Sequence, residues 1–423
     1  MTRRSLVDLA AKASFASFAL TRVRAASEKT VGRTPRELAM DEDFWFEVRE
    51  AFTIDRNIIN LNNGSVCPSP RVVQDAMQKN LEITQMQPSW YVDEFLAPHI
   101  ELIRKRLAAL FGCHPEEMAV TRNATESLEA IQLGLPLKPG DEVLTTTQDY
   151  PSMLTTWEQR VDRDGIVLKK FSFPTPPPSH DHLVSLFEQA ITPRTKVIHF
   201  CHVTYTTGQI FPVKKICQMA RERGIETIID GAHALAQFPY KRDDLDCDYY
   251  GASGHKWLSA PIGTGILYVR RDKIAKVWPL FASPRDMRDN IRKFESIGTF
   301  PVANRNAISE ALVFLASIGL DRKAARLQYL RERWQGRVGQ IRGAKIFNHV
   351  DPTHSCALGA FSLPGRDAGK LVETLIKGYA IHTRPRFVPN EFECVRVTPN
   401  VYTTLEELDR FCEAVEEIST KRA

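Results

Sequence analysis

The sequence lacks long apolar runs, paired cysteines and a strong net charge. No stretch of roughly 18 or more apolar residues occurs, so no helix is expected to span a membrane. The eight cysteines are dispersed, with neither C-x-x-C nor the Cys/His spacing of a zinc site, so no metal site is predicted. Four of the five net positive charges fall in the first 26 residues, and the remainder is too balanced to indicate a nucleic-acid partner.

The composition that remains is that of an ordinary globular protein. Apolar residues make up 43% of the chain and charged residues 25%, which argues against disorder, collagen and coiled coil. A length of 423 residues suits a large α/β unit with a smaller companion domain, and a core of this size does not need disulfides.

Residues 1–26 differ from the rest of the chain. Arg3 and Arg4 precede a small and apolar stretch from Ala13 to Leu20, acid is nearly absent, and a cleavage site fits near residue 25. The segment resembles a twin-arginine export signal, which predicts a periplasmic location. An amphipathic helix, a disordered basic tail and an organellar transit peptide are alternatives for the segment, and the cytoplasm is the alternative location.

From residue 118 short apolar runs alternate with helical stretches, which predicts an α/β fold with a mostly parallel sheet covered on both faces. Ligands of such sheets bind beyond the carboxyl ends of the strands. We predict a large domain over 61–290 and a smaller α+β domain from 27–60 and 291–423. The seven predicted strands are Met118–Thr121, Glu142–Thr147, Ile166–Phe171, Lys196–Val203, Ile225–Asp230, Asp246–Ser253 and Gly265–Arg270.

Three of these predicted strands end in polar residues with complementary chemistry. Asp230 ends one strand, Lys256 closely follows the next, and Thr125 stands where a helix begins after an upstream strand. A helix N-terminus stabilises an anion such as a phosphate. A lysine amine forms a Schiff base with an aldehyde, and a carboxylate keeps a pyridine nitrogen protonated. Together these are the requirements of pyridoxal 5′-phosphate (PLP).

At these residues the chain resembles class V (cysteine-desulfurase-like) PLP-dependent enzymes of fold type I, in particular the isopenicillin N epimerase-like branch. The resemblance covers roughly residues 40–415 and implies a seven-stranded, mostly parallel sheet in the large domain. The motifs that carry it are Asp230-Gly-Ala-His233, Ser253-Gly-His-Lys256 followed by Gly263-Thr-Gly265, Asn123-Ala-Thr125 and Leu61-Asn-Asn-Gly-Ser65.

The resemblance implies a role for each matching residue. Lys256 holds the cofactor and moves the proton at the substrate α-carbon, and Asp230 pairs with the pyridine nitrogen. The residues implied to bind the phosphate are Ala124, Thr125, Ser253 and His255. His233 is implied to lie near the ring, and Tyr150 to stack on it.

Other matching residues concern the substrate and a second subunit. Arg396 is implied to bind the substrate α-carboxylate, a role that suits a bidentate guanidinium. Asn63 of the N-terminal motif is a further candidate for substrate binding. Thr299 matches a segment that reaches the phosphate of the neighbouring subunit, which implies a homodimer.

The sequence also departs from the family. The stretch 379–388 lacks the cysteine on which desulfurases and selenocysteine lyases depend, and Cys394 is not in that loop. Arg384 and Arg386 stand there instead, either as a solvated basic loop or, as we hypothesise, in contact with a second anionic group of the substrate. Tyr205 replaces an asparagine that many relatives carry.

These residues predict a PLP-dependent enzyme that acts on the amino group or α-carbon of an amino acid or an amino-acid-containing metabolite. Transamination, epimerisation and elimination share one first carbanion, so the sequence does not choose among them. The alternatives are a cysteine or selenocysteine lyase and a catalytically inactive binding protein that keeps the fold.

Overall fold

The computed structural model describes residues 19–421. Its thirteen strands are β1 (Ile59–Asn60), β2 (Met118–Thr121), β3 (Glu142–Thr146), β4 (Val167–Phe171), β5 (Thr195–Cys201), β6 (Glu226–Asp230), β7 (Tyr249–Ser253), β8 (Gly265–Val269), β9 (Lys345–Ile346), β10 (Gly359–Ser362), β11 (Ile381–His382), β12 (Arg384–Val388) and β13 (Phe392–Val397). After the N-terminal segment, the α-helices are Pro35–Ala39, Glu42–Glu50, Arg71–Met86, Pro88–Trp90, Ile100–Phe111, Ala124–Gly134, Pro151–Asp164, His180–Ala190, Val213–Glu222, Val302–Asn306, Ile308–Ile318, Leu320–Val338, Ala368–Tyr379 and Leu405–Thr420.

The large sheet has seven strands in the order β2-β8-β7-β6-β5-β3-β4. Every neighbouring pair is parallel except the two that β8 forms with β2 and β7. Val143 and Val197 belong to the apolar cluster on one face, while the next residues, Leu144 and Ile198, belong to the cluster on the other. Because successive side chains of a strand point to opposite faces, both faces of this sheet are buried.

The prediction of an α/β fold with a mostly parallel seven-stranded sheet is therefore confirmed. Strand ends differ from the predicted ends by up to three residues. The strand predicted from Asp246 begins at Tyr249, since Asp246 has a φ of 56° that extended backbone does not allow. The helices Val302–Asn306 and Ile308–Ile318 meet at Ala307.

A second sheet of four strands has the order β12-β13-β10-β9, with every pair antiparallel. The placement of Arg384 and Arg386 in a loop is wrong, because both belong to the edge strand β12. Pro385 tolerates this position because an edge strand leaves one row of N–H groups unpaired. The domain boundaries stay a prediction.

The described part of the N-terminal segment is helical over residues 19–28. Val23 is fully buried in an apolar cluster with Phe44 and Trp45, and Ser27 Oγ donates to the carbonyl of Ser317 at 2.6 Å. Arg3 and Arg4, which carry the export prediction, lie outside the described residues. Over residues 19–421 no helix is both long and apolar enough to cross a bilayer.

Candidate active site

A cavity of about 280 Å³ opens at the carboxyl ends of the central strands. Cys201 ends β5, Asp230 ends β6 and Ser253 ends β7, so the parallel register brings all three to one edge of the sheet. The residues that line the cavity are Gly64, Ser65, Asn123, Ala124, Thr125, Leu128, Tyr150, Met153, Cys201, Tyr205, Asp230, Ala232, His233, Ser253, His255, Lys256, Arg384, Arg386 and Arg396.

Asp230 is buried at the floor of this cavity. Its Oδ1 accepts a hydrogen bond from the backbone N–H of Ala232 at 2.9 Å. Gly231 allows the tight turn between them, because a Cβ there would lie 2.0 Å from the Tyr250 ring. Desolvation raises the pKa of Asp230 to about 6, although the Ala232 N–H and the nearby Lys256 oppose the rise. Ionisation of Asp230 therefore costs free energy unless a positively charged group contacts the carboxylate.

Lys256 lies in the loop between β7 and β8 with its amine inside the cavity. Its Nζ is 3.3 Å from Nε2 of His233. Desolvation lowers the pKa of Lys256 to about 8, partly offset by the charge of Asp230. Desolvation also holds the pKa of His233 well below its ordinary value, and the charge of Lys256 adds to this. An amine that loses its proton near neutral pH is suited to attack a carbonyl.

The opposite part of the cavity gathers hydrogen-bond donors at a helix N-terminus. Asn123 caps the helix Ala124–Gly134 by accepting from the N–H of Glu126 at 2.8 Å. The N–H of Ala124 donates to Ser253 Oγ at 3.0 Å, and Thr125 lines the cavity beside them. This is the arrangement in which backbone N–H groups and the helix dipole attract an anion.

His255 borders the same part of the cavity. Its Nδ1 is buried and has no hydrogen-bond partner among residues 19–421. Desolvation and the charge of Lys256 lower its pKa to about 4. A buried nitrogen without a partner is costly, so a bound group with polar atoms would relieve that cost.

Arg396 is almost fully buried at the other end of the cavity. Its guanidinium donates to the carbonyl of Tyr205 at 2.9 Å, to Asn62 Oδ1 at 3.0 Å and to Ser65 Oγ at 2.9 Å. A Cβ on Gly64 would lie 3.2 Å from Arg396 Cζ, so glycine allows the N-terminal loop to pack against the guanidinium. Desolvation and the charge of Arg386 hold the pKa of Arg396 well below its ordinary value.

Eleven of the predicted site residues line this cavity, and two do not. The eleven that line the cavity are Ala124, Thr125, Tyr150, Asp230, His233, Ser253, His255, Lys256, Arg384, Arg386 and Arg396. Thr299 is exposed and lies outside the cavity of its own chain. Asn63 is fully buried, and its amide nitrogen donates to the carbonyls of Asn60 and Thr398, so its side chain does not reach the cavity.

The residues missed from the sequence are neighbours of Asn63. Asn62 and Ser65 hold Arg396, and both belong to the Leu61–Ser65 motif, which was the available signal. Tyr205, noted only as a departure from the family, lines the cavity with its ring edge-on to Tyr150 at 5.4 Å between centroids. The roles of the individual residues stay predictions.

The chemistry of this donor set fits PLP. The cavity holds a lysine amine of lowered pKa, a buried carboxylate that lacks a positive partner, and an anion site at a helix N-terminus. The unpartnered Nδ1 atoms of His233 and His255 are further polar groups for a ligand. A mostly parallel sheet with this site at its carboxyl edge defines the class of PLP-dependent enzymes of fold type I.

Comparisons with known proteins agree with this class. The family model for class-V aminotransferases matches residues 59–411. The chain is 32% identical to an isopenicillin N epimerase of Amycolatopsis lactamdurans, over 89% of this chain and 98% of that protein. A probable cysteine desulfurase of Synechocystis is 26% identical, over 87% and 94%.

A solved cysteine desulfurase of Thermococcus onnurineus shares the fold, with a TM-score of 0.78 and 21% identity over 88% of this chain and 98% of that one. The chain belongs to the class-V aminotransferase family, whose members are PLP-dependent enzymes.

Proposed function

We propose that this protein catalyses proton transfer at the α-carbon of an amino acid or an amino-acid-containing metabolite, as an epimerase or an aminotransferase. One observation carries the proposal: the amine of Lys256, the carboxylate of Asp230 and the guanidinium of Arg396 line one cavity. The similarity to an isopenicillin N epimerase along nearly the whole chain supports chemistry at the α-carbon.

When bound, PLP supplies an electron sink that lowers the barrier to loss of the α-proton. Ala124, Thr125, Ser253 and His255 would hold its phosphate, Asp230 its ring nitrogen, and Tyr150 would stack against its ring.

The remaining steps belong to side chains of this protein. Arg396, already oriented by three hydrogen bonds, binds the substrate α-carboxylate and so fixes which bond of the α-carbon faces Lys256. The amine of Lys256 takes the α-proton, and its pKa of about 8 suits it to act as a base near neutral pH. Nε2 of His233 lies 3.3 Å from that amine and orients it.

The cavity does not favour cysteine desulfurase chemistry, which forms a persulfide on a thiolate of the enzyme itself. Cys201 is the one cysteine among the described cavity-lining residues, and desolvation raises its pKa well above the ordinary value. Burial raises the pKa of Cys394 to about 12. An enzyme that takes the sulfur onto its own cysteine needs an accessible thiolate, and a buried neutral thiol is a poor nucleophile. A lyase that only eliminates a β-group needs no such thiol and remains the alternative.

Exchange of the α-proton in deuterated water tests the proposal. The PLP-loaded protein should wash deuterium into the α-carbon of at least one amino acid of a panel, and the Lys256→Ala variant should not. Change of configuration at the α-carbon identifies an epimerase, and a 2-oxo acid identifies an aminotransferase. Release of sulfide from cysteine without α-deuteration, or no exchange with any member of the panel, contradicts the proposal.

We also propose a homodimer, on the basis of one apolar surface. Asn306 Nδ2 donates to the carbonyl of Leu96 and Asn304 Nδ2 to that of Ile262, which joins the segments around these residues. The exposed apolar side chains of these segments and of the adjacent helix Arg71–Met86 are Leu81, Met86, Trp90, Phe95 and Ile262. Thr299 is exposed, as a residue donated to a partner's site would be.

Export through the twin-arginine route remains our proposal for the location of the protein. Its support is the sequence pattern around Arg3 and Arg4. Replacing both residues with lysine should retain the protein in the cytoplasm of a bacterial host, as measured by cell fractionation. An unchanged distribution between the compartments would refute this route.

A further inference from the structure

Three arginines share one face of the four-stranded sheet. β12 pairs antiparallel with β13, so that Arg384 lies opposite Arg396 and Arg386 lies opposite Cys394. Alternate residues of a strand point to the same face, and all three guanidinium groups line the active-site cavity. Because like charges placed opposite each other destabilise a sheet, this arrangement costs folding free energy unless an anion lies between them.

The described residues supply no such anion. Asp230 is the one carboxylate among the cavity-lining residues, and its charge interacts with that of Lys256. The nearest acid on β13, Glu393, is opposite Phe387 and therefore points to the other face. The positive charge at this end of the cavity exceeds what a single substrate α-carboxylate neutralises.

Arg386 is held in a position from which it can bind a ligand. Its guanidinium carbon lies 5.3 Å from the centroid of the Tyr205 ring, and that ring packs edge-on against Tyr150. This cation–π contact holds the guanidinium over the ring without using its N–H donors. Its Nε is buried and has no partner among residues 19–421. Tyr205 thus orients Arg386.

We infer that Arg386, with Arg384 at the rim, binds a second acidic group on the side chain of the substrate. The preferred substrate is then an amino acid that carries an additional carboxylate. Arg396, which is fully oriented by its own hydrogen bonds, is left for the α-carboxylate. The inference rests on the proposed function, because that function assigns Arg396 to the α-carboxylate.

Binding of two five-carbon acids to the PLP-loaded protein, measured by calorimetry, tests the inference without any turnover. Glutarate has two carboxylates and pentanoate has one, and neither has an amine. Wild-type protein should bind glutarate about tenfold or more tightly than pentanoate, because a charge-assisted pair is added. Arg386→Gln should abolish the difference by weakening glutarate binding more than pentanoate binding, and Arg386→Lys should restore part of it.

Arg342→Gln is the matched control, since Arg342 is an exposed arginine outside the cavity. It should keep the preference for glutarate. Equal affinity of wild-type protein for the two acids overturns the inference, and so does an undiminished preference in Arg386→Gln. The comparison of glutarate with pentanoate on wild-type protein needs no variant, so it can overturn the inference even where a substitution prevents folding.

The result of this binding test can be distinguished from the result of the α-proton exchange test of the proposed function. A preference for glutarate without α-proton exchange on any amino acid would refute the proposed function alone, and exchange without the preference would refute the inference alone. Two sources of the second carboxylate share this chemistry: a free dicarboxylic amino acid and a conjugate with a distal carboxylate. Faster exchange with L-glutamate than with γ-L-glutamylglycine supports the first source, and the reverse order supports the second.

Discussion

Asp230 and Lys256 are buried groups whose ordinary charges are both disfavoured by desolvation. The pKa of Asp230 rises to about 6 and that of Lys256 falls to about 8, so each moves toward its neutral form. A cofactor with an aldehyde and a basic ring nitrogen removes both costs, because it consumes the amine and supplies a positive partner for the carboxylate. The unfavourable electrostatics of these two residues therefore favour a cofactor.

Because burial makes the carboxylate of Asp230 unfavourable, we expect its replacement to stabilise the protein, and to do so more at higher pH. A carboxyl whose pKa is raised from 3.8 to about 6 binds its proton more tightly in the folded than in the unfolded chain. The free energy of unfolding of cofactor-free protein then falls as pH rises from about 4 to 6 and stays lowered above. Asp230→Asn should be more stable than wild type by up to about 3 kcal/mol at pH 8.

The measurement is denaturant unfolding of both cofactor-free proteins at pH 4.5 and pH 8. The advantage of Asp230→Asn should be small at the lower pH and large at the higher one, while its α-proton exchange activity falls at least about 100-fold once PLP is added. An advantage that does not grow with pH would show that Asp230 is not a buried acid of raised pKa.

At the scale of elements, the phosphate end of the cavity depends on the start of the helix Ala124–Gly134. Asn123 caps this helix, and Thr404 caps the helix Leu405–Thr420, which does not border the cavity. Each side chain accepts from the backbone N–H three residues on, at 2.8 Å and 3.1 Å. Both side chains cap a helix, but only Asn123 does so beside the cavity. A comparison of the two variants therefore distinguishes a loss of helix stability from a loss of phosphate binding.

Asn123→Ala and Thr404→Ala should each lower the free energy of unfolding by about 1 kcal/mol. Only Asn123→Ala should also weaken PLP binding, because it loosens the N–H groups that face the phosphate. Fluorescence titration of the two cofactor-free variants with PLP makes the comparison. Equal affinities of the two variants for PLP would place the phosphate elsewhere.

The strands of the large sheet are predictable because burial on both faces leaves short apolar runs, such as Ile266 to Val269 after Gly265. The strand β12 is not predictable in this way. Its residues Arg384, Pro385 and Arg386 resemble a loop, and only pairing with β13 holds them extended. The sequence also does not show that Asn62, and not the predicted Asn63, is the asparagine that binds Arg396. Neither helical nor strand periodicity applies in that loop, so sequence spacing does not say which amide faces Arg396.

At the scale of the whole molecule, the exposed apolar surface over the segments around Trp90 and Ile262 predicts association. Ile262→Asp with Trp90→Asp should convert the homodimer to a monomer, because two buried charges without partners oppose the interface. Light scattering coupled to size-exclusion chromatography measures the mass. Phe46→Asp, at an exposed phenylalanine of the helix Glu42–Glu50, is the matched control and should leave the dimer intact. A wild-type monomer at micromolar concentration would contradict this prediction.

The proposed chemistry depends on which lysine holds the cofactor. Lys323 is the natural comparison: it is buried, desolvation lowers its pKa to about 8 as well, and its Nζ donates to the carbonyl of Trp257, but it does not line the cavity. Two amines of similar pKa thus differ mainly in whether a ligand in the cavity reaches them.

The most direct measurement is borohydride reduction of the PLP-loaded protein, followed by mass spectrometry of its peptides. Reduction fixes the cofactor to whichever amine holds its aldehyde. The predicted result is a single pyridoxyl group on Lys256, no label on Lys323, and loss of the visible absorption band in Lys256→Ala. A label on Lys323, or a protein that takes up PLP without any covalent attachment to Lys256, would contradict the account.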